Sequence, residues 1–479
     1  MSWGFSCALT GGGRGLLVRR GGGDVVEFAF GLPGDPVPGW EPDESEARLT
    51  TADSFTARLR HLGDEAGWTT IVSLDNTADV ERALPPLGMA ATVAPGWCGW
   101  SWSCDTEGFV LVAPVDAVGP CLLARVRLGF LRVAADRPVF TAADRRGEGL
   151  GDGVAAFHLA HPTGSLRAFG RHQTTIEFSE VPDAAAAAGV LPGWMPDLVV
   201  APHDPELLLE TPDLAVVPGP GVQMGTQDTT SVLVWDPGHR EVAVHGVRGV
   251  SRLRVSAMPA LEPFLADLVT ALKSKRPSAV PSAVGALVAG ALARRAVLEP
   301  ESALDWLERE DWLAREDLFG VAVAAIVATE TLDEALLVQA CEALAASPDA
   351  PGRGVVATRL WLATLRLGVP PLDLTAVLGG GLEAALLGAG DEGEWTTAVQ
   401  GLANGFGVGR LPGQPIGLGE ADAGLRVALL RLVPERWAVR EVASEAAERA
   451  AALLLADHAD GLHPSYDGLA WLVLGALSD

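Results

Sequence analysis

Lysine is almost missing from this chain: of 35 basic residues only Lys273 and Lys275 are lysines, and the others are arginines. No phosphate loop that needs a lysine can therefore stand in the first half. The glycine runs at 11–15 and 21–23 are followed by strand-like residues, not by a helix, so they read as turns. Cysteine is also scarce, with five residues at 7, 98, 104, 121 and 341. An odd count in a large chain excludes a disulfide-built secreted module and favours a reducing compartment. Cys98 and Cys104 have no second Cys or His pair at ligand spacing, so no metal site is assigned. The opening residues lack the basic and apolar regions of a signal peptide. The longest apolar runs, such as 318–328, fall short of the ~18 residues of a spanning helix, so no stable membrane span is expected. A cytoplasmic location follows. A basic lobe is missing too. Net charge is -26, with an acidic excess of 12 up to residue 255 and of 14 beyond it. Affinity for nucleic acid rests on neutralising phosphates, so no nucleic-acid partner is expected. Neither a dinucleotide fingerprint nor a serine elbow is found, and no cofactor is implied.

Apolar material is ample: 48% of residues are hydrophobic and the mean hydropathy is +0.25. At 479 residues the chain exceeds one compact core and suggests two to four domains. Leu16 to Phe30 reads as two apolar runs flanking a glycine turn, a hairpin signal. Ser54 to Leu62 reads as a helix, with Phe55, Leu59 and Leu62 on one face. Strands are expected at 68–74, 89–93, 107–112 and 121–133. Residues 134–155 are polar and glycine-rich and mark a subdomain break. Beyond it Leu166 to Phe178 repeats two runs around a turn. A Pro-Gly-Trp-x-Pro-Asp segment stands at 38–43, after Glu27 and Phe28, and again at 192–197, after Glu177 and Phe178. This suggests an internal duplication. Further strands at 231–235 and 241–245 flank the turn Asp236-Pro237-Gly238-His239, and a third follows at 251–256.

From Pro259 the pattern changes to helical spacing. Leu261, Phe264, Leu265, Leu268, Val269 and Leu272 share a face, Lys273 and Arg276 suit the helix end, and Pro277 stops it. About ten more segments of helical character run to residue 477, separated by Gly, Pro or Asp. The fold class is thus α+β: an antiparallel-sheet-rich first half, then an all-α array of HEAT or armadillo type or an irregular bundle. The division expected is 1–140, 141–257 and 258–479.

The stretch from Pro95 to Cys104 carries Trp97, Trp100 and Trp102 with small spacers. It is either a core strand or an aromatic shelf for a planar or glycosidic ligand. Trp40 and Trp194, in the paired Pro-Gly-Trp segments, join it as candidate ligand contacts, or plug the ends of a core. His158 and His161 are spaced for one helical face, but Pro162 follows and no third ligand is evident. His239 and His245 are expected to approach across a hairpin. Asp457 to Asp467 gathers Asp, His, Ser and Tyr, as a catalytic loop or as the cap of the last helix.

No catalytic set is assigned. The leading reading is a non-enzymatic protein-interaction or scaffold protein with a protein partner. A hydrolase-like enzyme with a His/Asp site in the strand-rich half is the first alternative. A membrane-active protein is the second, with that half inserting under the restraint of the helices and Cys7 as a lipidation point.

Overall fold

The computed structural model describes residues 3–31, 41–43, 46–50, 54–63, 67–102, 105–114, 119–133, 154–183, 186, 187, 189, 192, 194, 206–210, 214–227, 230–259, 261–273, 282–347, 350–378, 382–389, 392–404, 414–416, 420–459 and 466–476. A first antiparallel sheet has six strands in the spatial order Ser6–Thr10, Gly15–Arg20, Gly23–Gly31, Gly88–Val93, Val154–His158 and Arg132–Val133. The expected hairpin at 16–30 forms around Gly21 and Gly22, both with positive φ (59° and 86°). Only glycine enters that turn without steric cost.

A second sheet has nine strands in the order Gln414–Ile416, Trp97–Trp102, Phe109–Pro114, Cys121–Leu128, Arg171–Val181, Trp68–Asn76, Phe55–Gly63, Glu46–Thr50 and Glu41–Asp43. The segment read as a helix at 54–62 is thus a strand. Ala57, Leu59 and His61 are buried while Arg60 and Leu62 face out, a period of two. Phe55 and Leu59 lie on the buried face of that strand, and Leu62, which helical spacing puts with them, is exposed.

The strands Trp97–Trp102 and Phe109–Pro114 and the Cys121–Val126 part of their neighbour carry core residues on both faces. Val110, Val112, Leu122, Ala124 and Val126 share one core with Leu16, Phe28, Phe30 and Phe157 of the first sheet's side. Across that core Phe28 and Phe178 meet edge to face, with centroids 5.1 Å apart. Trp100, Trp102, Phe109, Leu111 and Leu123 alternate with those residues and join a separate core with Leu233, Val244, Leu253 and the helices. The molecule is therefore layered: first sheet, second sheet, then small sheets and helices.

The expected break at 140/141 does not separate these sheets. Val154–His158 pairs with Gly88–Val93, and Arg171–Val181 lies between Cys121–Leu128 and Trp68–Asn76. Beyond residue 205 come two three-stranded sheets, Glu206–Glu210, Thr230–Trp235 and Val222–Gln227 in one, Ala215–Pro218, Gly238–Gly246 and Gly249–Ala257 in the other. The turn at 236–239 does not close a hairpin. It carries the chain from one small sheet into the other. His239 and His245 consequently lie on one strand, about 20 Å apart at six residues of rise, and do not approach each other.

The strand-rich part ends at Ala257, and helices follow. They are α1 (Leu261–Lys273), α2 (Ser282–Arg294), α3 (Pro300–Leu307), α4 (Leu318–Thr331), α5 (Glu334–Ala346) and α6 (Arg353–Leu367). Then come α7 (Leu374–Leu378), α8 (Leu382–Ala384), α9 (Glu392–Asn404), α10 (Glu420–Arg431), α11 (Arg440–Ala459) and α12 (Tyr466–Ala476). Their ends are set by side chains. Asp317 and Asp333 accept hydrogen bonds from Gly320 N (2.6 Å) and Leu336 N (3.0 Å), capping α4 and α5. Gly368, at φ 69°, closes α6. Gln414–Ile416 leaves the helical part and adds an edge to the second sheet, opposite Gly99 to Ser101. Helix α11 packs on Gly238–Gly246 and Gly249–Ala257. No helix among the described residues is long and apolar enough to cross a membrane.

Candidate functional site

Trp97 opens a strand directly after the chain crosses from the first sheet to the second through Pro95 and Gly96. Gly96 takes φ 85°, and Trp97 N donates to Ala94 O at 3.1 Å. Trp100 and Trp102 follow three and five residues later, so they project from the opposite face of the strand. Each is only 2% exposed. Trp102 packs on Phe109 with centroids 5.8 Å apart. The three tryptophans therefore do not form one shelf. Trp100 and Trp102 fill the core between the second sheet and the layer beyond it, and Trp97 faces the other way. Trp194 is half-buried against that same core. Trp40 lies outside the described residues.

Trp97 instead joins residues that the sequence reading passed over. Its ring stands 6.3 Å from Phe5, which stands 5.7 Å from Trp3, edge to face. The Arg20 guanidinium lies 5.9 Å above the Phe5 ring. Arg20 ends the strand Gly15–Arg20 and passes beside Gly119, where φ is 107° and an added Cβ would meet Arg20 Nη1 at 2.8 Å. Trp3 also lies against Gly67, and Trp68 follows at the start of its own strand. Gly4 N donates to Glu180 at 2.5 Å, which ties the N-terminal segment to the end of Arg171–Val181. The start of one strand (68, 97, 121) and the end of its neighbour (114, 181) meet at this edge of the second sheet. The result is an end face carrying half-buried Trp3, Trp68 and Trp97, with Arg20 and Glu180 beside them. A Trp at the first residue of two separate strands was the available signal. Nothing in the sequence showed that the strands begin at one end.

Other expectations resolve differently. Val154–His158 is a strand, so His158 and His161 share no helical face. The His161 ring meets Phe130 at 5.6 Å and its Nδ1 accepts from Thr163 Oγ1 at 3.0 Å. His61 is buried, with Nε2 donating to Gly13 O (3.0 Å) and Nδ1 accepting from Thr70 Oγ1 (2.9 Å). Burial holds its pKa below the ordinary histidine value, as it does for His172, whose Nε2 donates to Leu159 O. Cys7 is paired in the first strand of the first sheet, and burial pushes its thiol up to about 12. That thiol is no ready nucleophile for acylation. The Asp457-to-Asp467 cluster lies mostly outside the described residues. No group of three or more His, Cys, Asp or Glu among the described residues is placed to hold a metal ion.

A second polar cluster joins the second sheet to the last small sheet. Asp105 is paired bidentately with Arg132 (both contacts 3.0 Å) and stands 3.1 Å from Arg252. Glu107 accepts from Arg248 at 3.2 Å, and Arg248 also donates to Arg127 O at 2.8 Å. Burial pushes both carboxyls up against the pull of these arginines. Arg132 comes from the first sheet, and Arg248 and Arg252 come from the hairpin of the last small sheet, so the cluster is a latch between sheets.

No protein-family model matches the chain, and no curated protein matches its sequence. A solved structure described as a polysaccharide lyase is similar to 94% of this chain and 75% of its own length, with a TM-score of 0.52 and 11% identity. The likeness is one of fold alone.

Proposed function

We propose that this chain is a binding protein that holds a neutral saccharide against the aromatic end of its two large sheets. The observation that carries the reading is the half-buried pair Trp3 and Trp97, joined through buried Phe5 with Arg20 over it. Flat rings at a sheet end stack on the apolar C–H face of a sugar ring, and Arg20 and Glu180 supply hydrogen bonds to its hydroxyls. The net charge of -26 disfavours a polyuronate ligand and favours a neutral one. The protein is expected to act in the cytoplasm, where its thiols stay reduced; Cys7, Cys98, Cys121 and Cys341 are all free.

The test is calorimetric titration with neutral oligosaccharides, using the parent and Trp97→Ala. The expected result is binding by the parent, weakened tenfold or more in the variant while circular dichroism stays unchanged. Equal affinity in both would overturn the proposal.

A polysaccharide-degrading enzyme is the second reading, supported by the fold likeness. It predicts new reducing ends when the parent is incubated with the same saccharides. A protein partner would engage the helical part, where Leu332, Val338, Leu362 and Leu365 are exposed on or beside α5 and α6.

A further inference from the structure

The two large sheets have four edge strands, and three of them are guarded. Arg132–Val133 has only two residues, and Gln414–Ile416 and Glu41–Asp43 have three each, with Pro415 and Pro42 at their centres. Shortness, proline and charge all hinder a further strand from adding on. The fourth edge, Ser6–Thr10, has none of these guards. It is five residues long and contains no proline and no charged residue. Its register with Gly15–Arg20 runs unbroken from Ser6 opposite Arg19 to Thr10 opposite Gly15, so no bulge turns it aside. Among the described residues no strand pairs with its other side, and Leu9 is 41% exposed.

The order of the side chains selects the occupant. From Ala8 outward in either direction come an apolar residue, Cys7 or Leu9, and then a hydroxyl, Ser6 or Thr10. The strand therefore reads alike from both ends. An antiparallel second copy centred on Ala8 would set Ala8 against Ala8, Cys7 against Leu9 and Ser6 against Thr10. Side chains alternate across a strand, so Cys7 and Leu9 share one face while the hydroxyls and Ala8 share the other. Like would meet like at every position, which is what stabilises cross-strand pairs, and no charge would face its own sign. We propose that the Ser6–Thr10 edge pairs with the same edge of a second copy, antiparallel about Ala8, joining two six-stranded sheets into one continuous sheet. A contact built on one short strand is small, so the dimer is reversible. The net charge of -26 on each copy opposes it and is screened by salt, so the dimer strengthens as salt is added.

The experiment is sedimentation velocity of the full chain over roughly a hundredfold range of concentration, at low and at moderate salt. A monomer–dimer equilibrium is expected, shifting toward dimer with both. Leu9→Lys puts a charge on the exposed part of the edge and is expected to weaken the dimer at least tenfold with circular dichroism unchanged. Cross-linking reads the register. A two-fold axis at Ala8 brings the two Ala8 Cα atoms to about 4.5–5.5 Å, within disulfide reach. Ala8→Cys is therefore expected to give a covalent dimer under mild oxidation. The parent, whose Cys7 would face Leu9, and Ser6→Cys, which would face Thr10, are expected to stay unlinked. If Leu9→Lys fails to fold, the cross-linking series decides. A monomer at every concentration, a dimer unaffected by Leu9→Lys, or Ser6→Cys linking as readily as Ala8→Cys would overturn the proposal.

Discussion

Gly285, in α2, lies directly against the Trp306 ring of α3, and its replacement by alanine sets two effects against each other. A Cβ there would lie 2.2, 2.5 and 2.8 Å from three ring carbons of Trp306 in α3. To regain ordinary contact near 3.5 Å, the ring must retreat by more than about 1 Å. Trp306 is 6% exposed, and the Arg309 guanidinium lies 3.5 Å from its ring centroid. Overpacking of this kind costs about 1–3 kcal/mol. Against it, Gly→Ala inside a helix gains about 1 kcal/mol of propensity. The difference leaves Gly285→Ala destabilising by up to about 2 kcal/mol. Urea unfolding followed by circular dichroism reads this as a lower midpoint at unchanged slope. A double-mutant cycle isolates the cause. In a Trp306→Leu background the ring is gone, and the same Gly285→Ala change should stabilise by about 1 kcal/mol. If Gly285→Ala stabilises the parent equally, the packing argument is wrong.

The latch gives another test. Arg248→Ala leaves Glu107 and the Arg127 carbonyl short of a donor; because the Arg248 side chain is 40% exposed, water recovers part of the loss, and about 1–2 kcal/mol is expected. Hydrogen exchange at 246–250 should rise with it, and unchanged protection there would count against a latch. Acid sensitivity follows from His61 and His172. Both have folded pKa values held below the ordinary value by burial, so below about pH 6.5 the unfolded chain takes up protons that the folded chain excludes. Stability is therefore present in full above the unfolded value and falls as pH drops through it. The difference in thermal midpoint between the parent and His61→Gln/His172→Gln should shrink between pH 8 and pH 5, and a constant difference would refute the assignment.

The boundary near residue 257, the hairpin at 15–31 and most helix positions were legible because each rests on local signals: glycine turns, apolar spacing of 3.6, Asp caps. The misreadings have a common physical origin. Ser54 to Leu62 contains apolar residues at positions that satisfy both a helical and a strand period, and only the pairing with Trp68–Asn76 decides between them. The segment 236–239 carries the marks of a hairpin turn, yet the strands it joins pair elsewhere. Turn chemistry specifies a reversal, not which neighbours the strands choose. The placement of Val154–His158 and Arg171–Val181 inside sheets begun a hundred residues earlier is likewise a long-range choice, written in no local pattern.

The aromatic stretch shows how such a choice assigns roles. Taken as a run, Trp97, Trp100 and Trp102 look like one surface. Strand geometry divides them by parity, and that division has an effect only because this part of the second sheet is covered on both sides. Had one face been open to water, either Trp97 or the other pair would have formed an exposed shelf. With both faces covered there, the end of these strands is what remains open. Trp97 reaches it because it is the first residue of its strand, and Trp68 because it is the first of another. Position along the strand, more than composition of the stretch, separates the half-buried residue at the sheet's end from those committed to the core. It also separates what their loss should do. Removing Trp100 or Trp102 empties a dry site and costs about 3–5 kcal/mol of stability, whereas removing Trp97 should be felt first by a ligand.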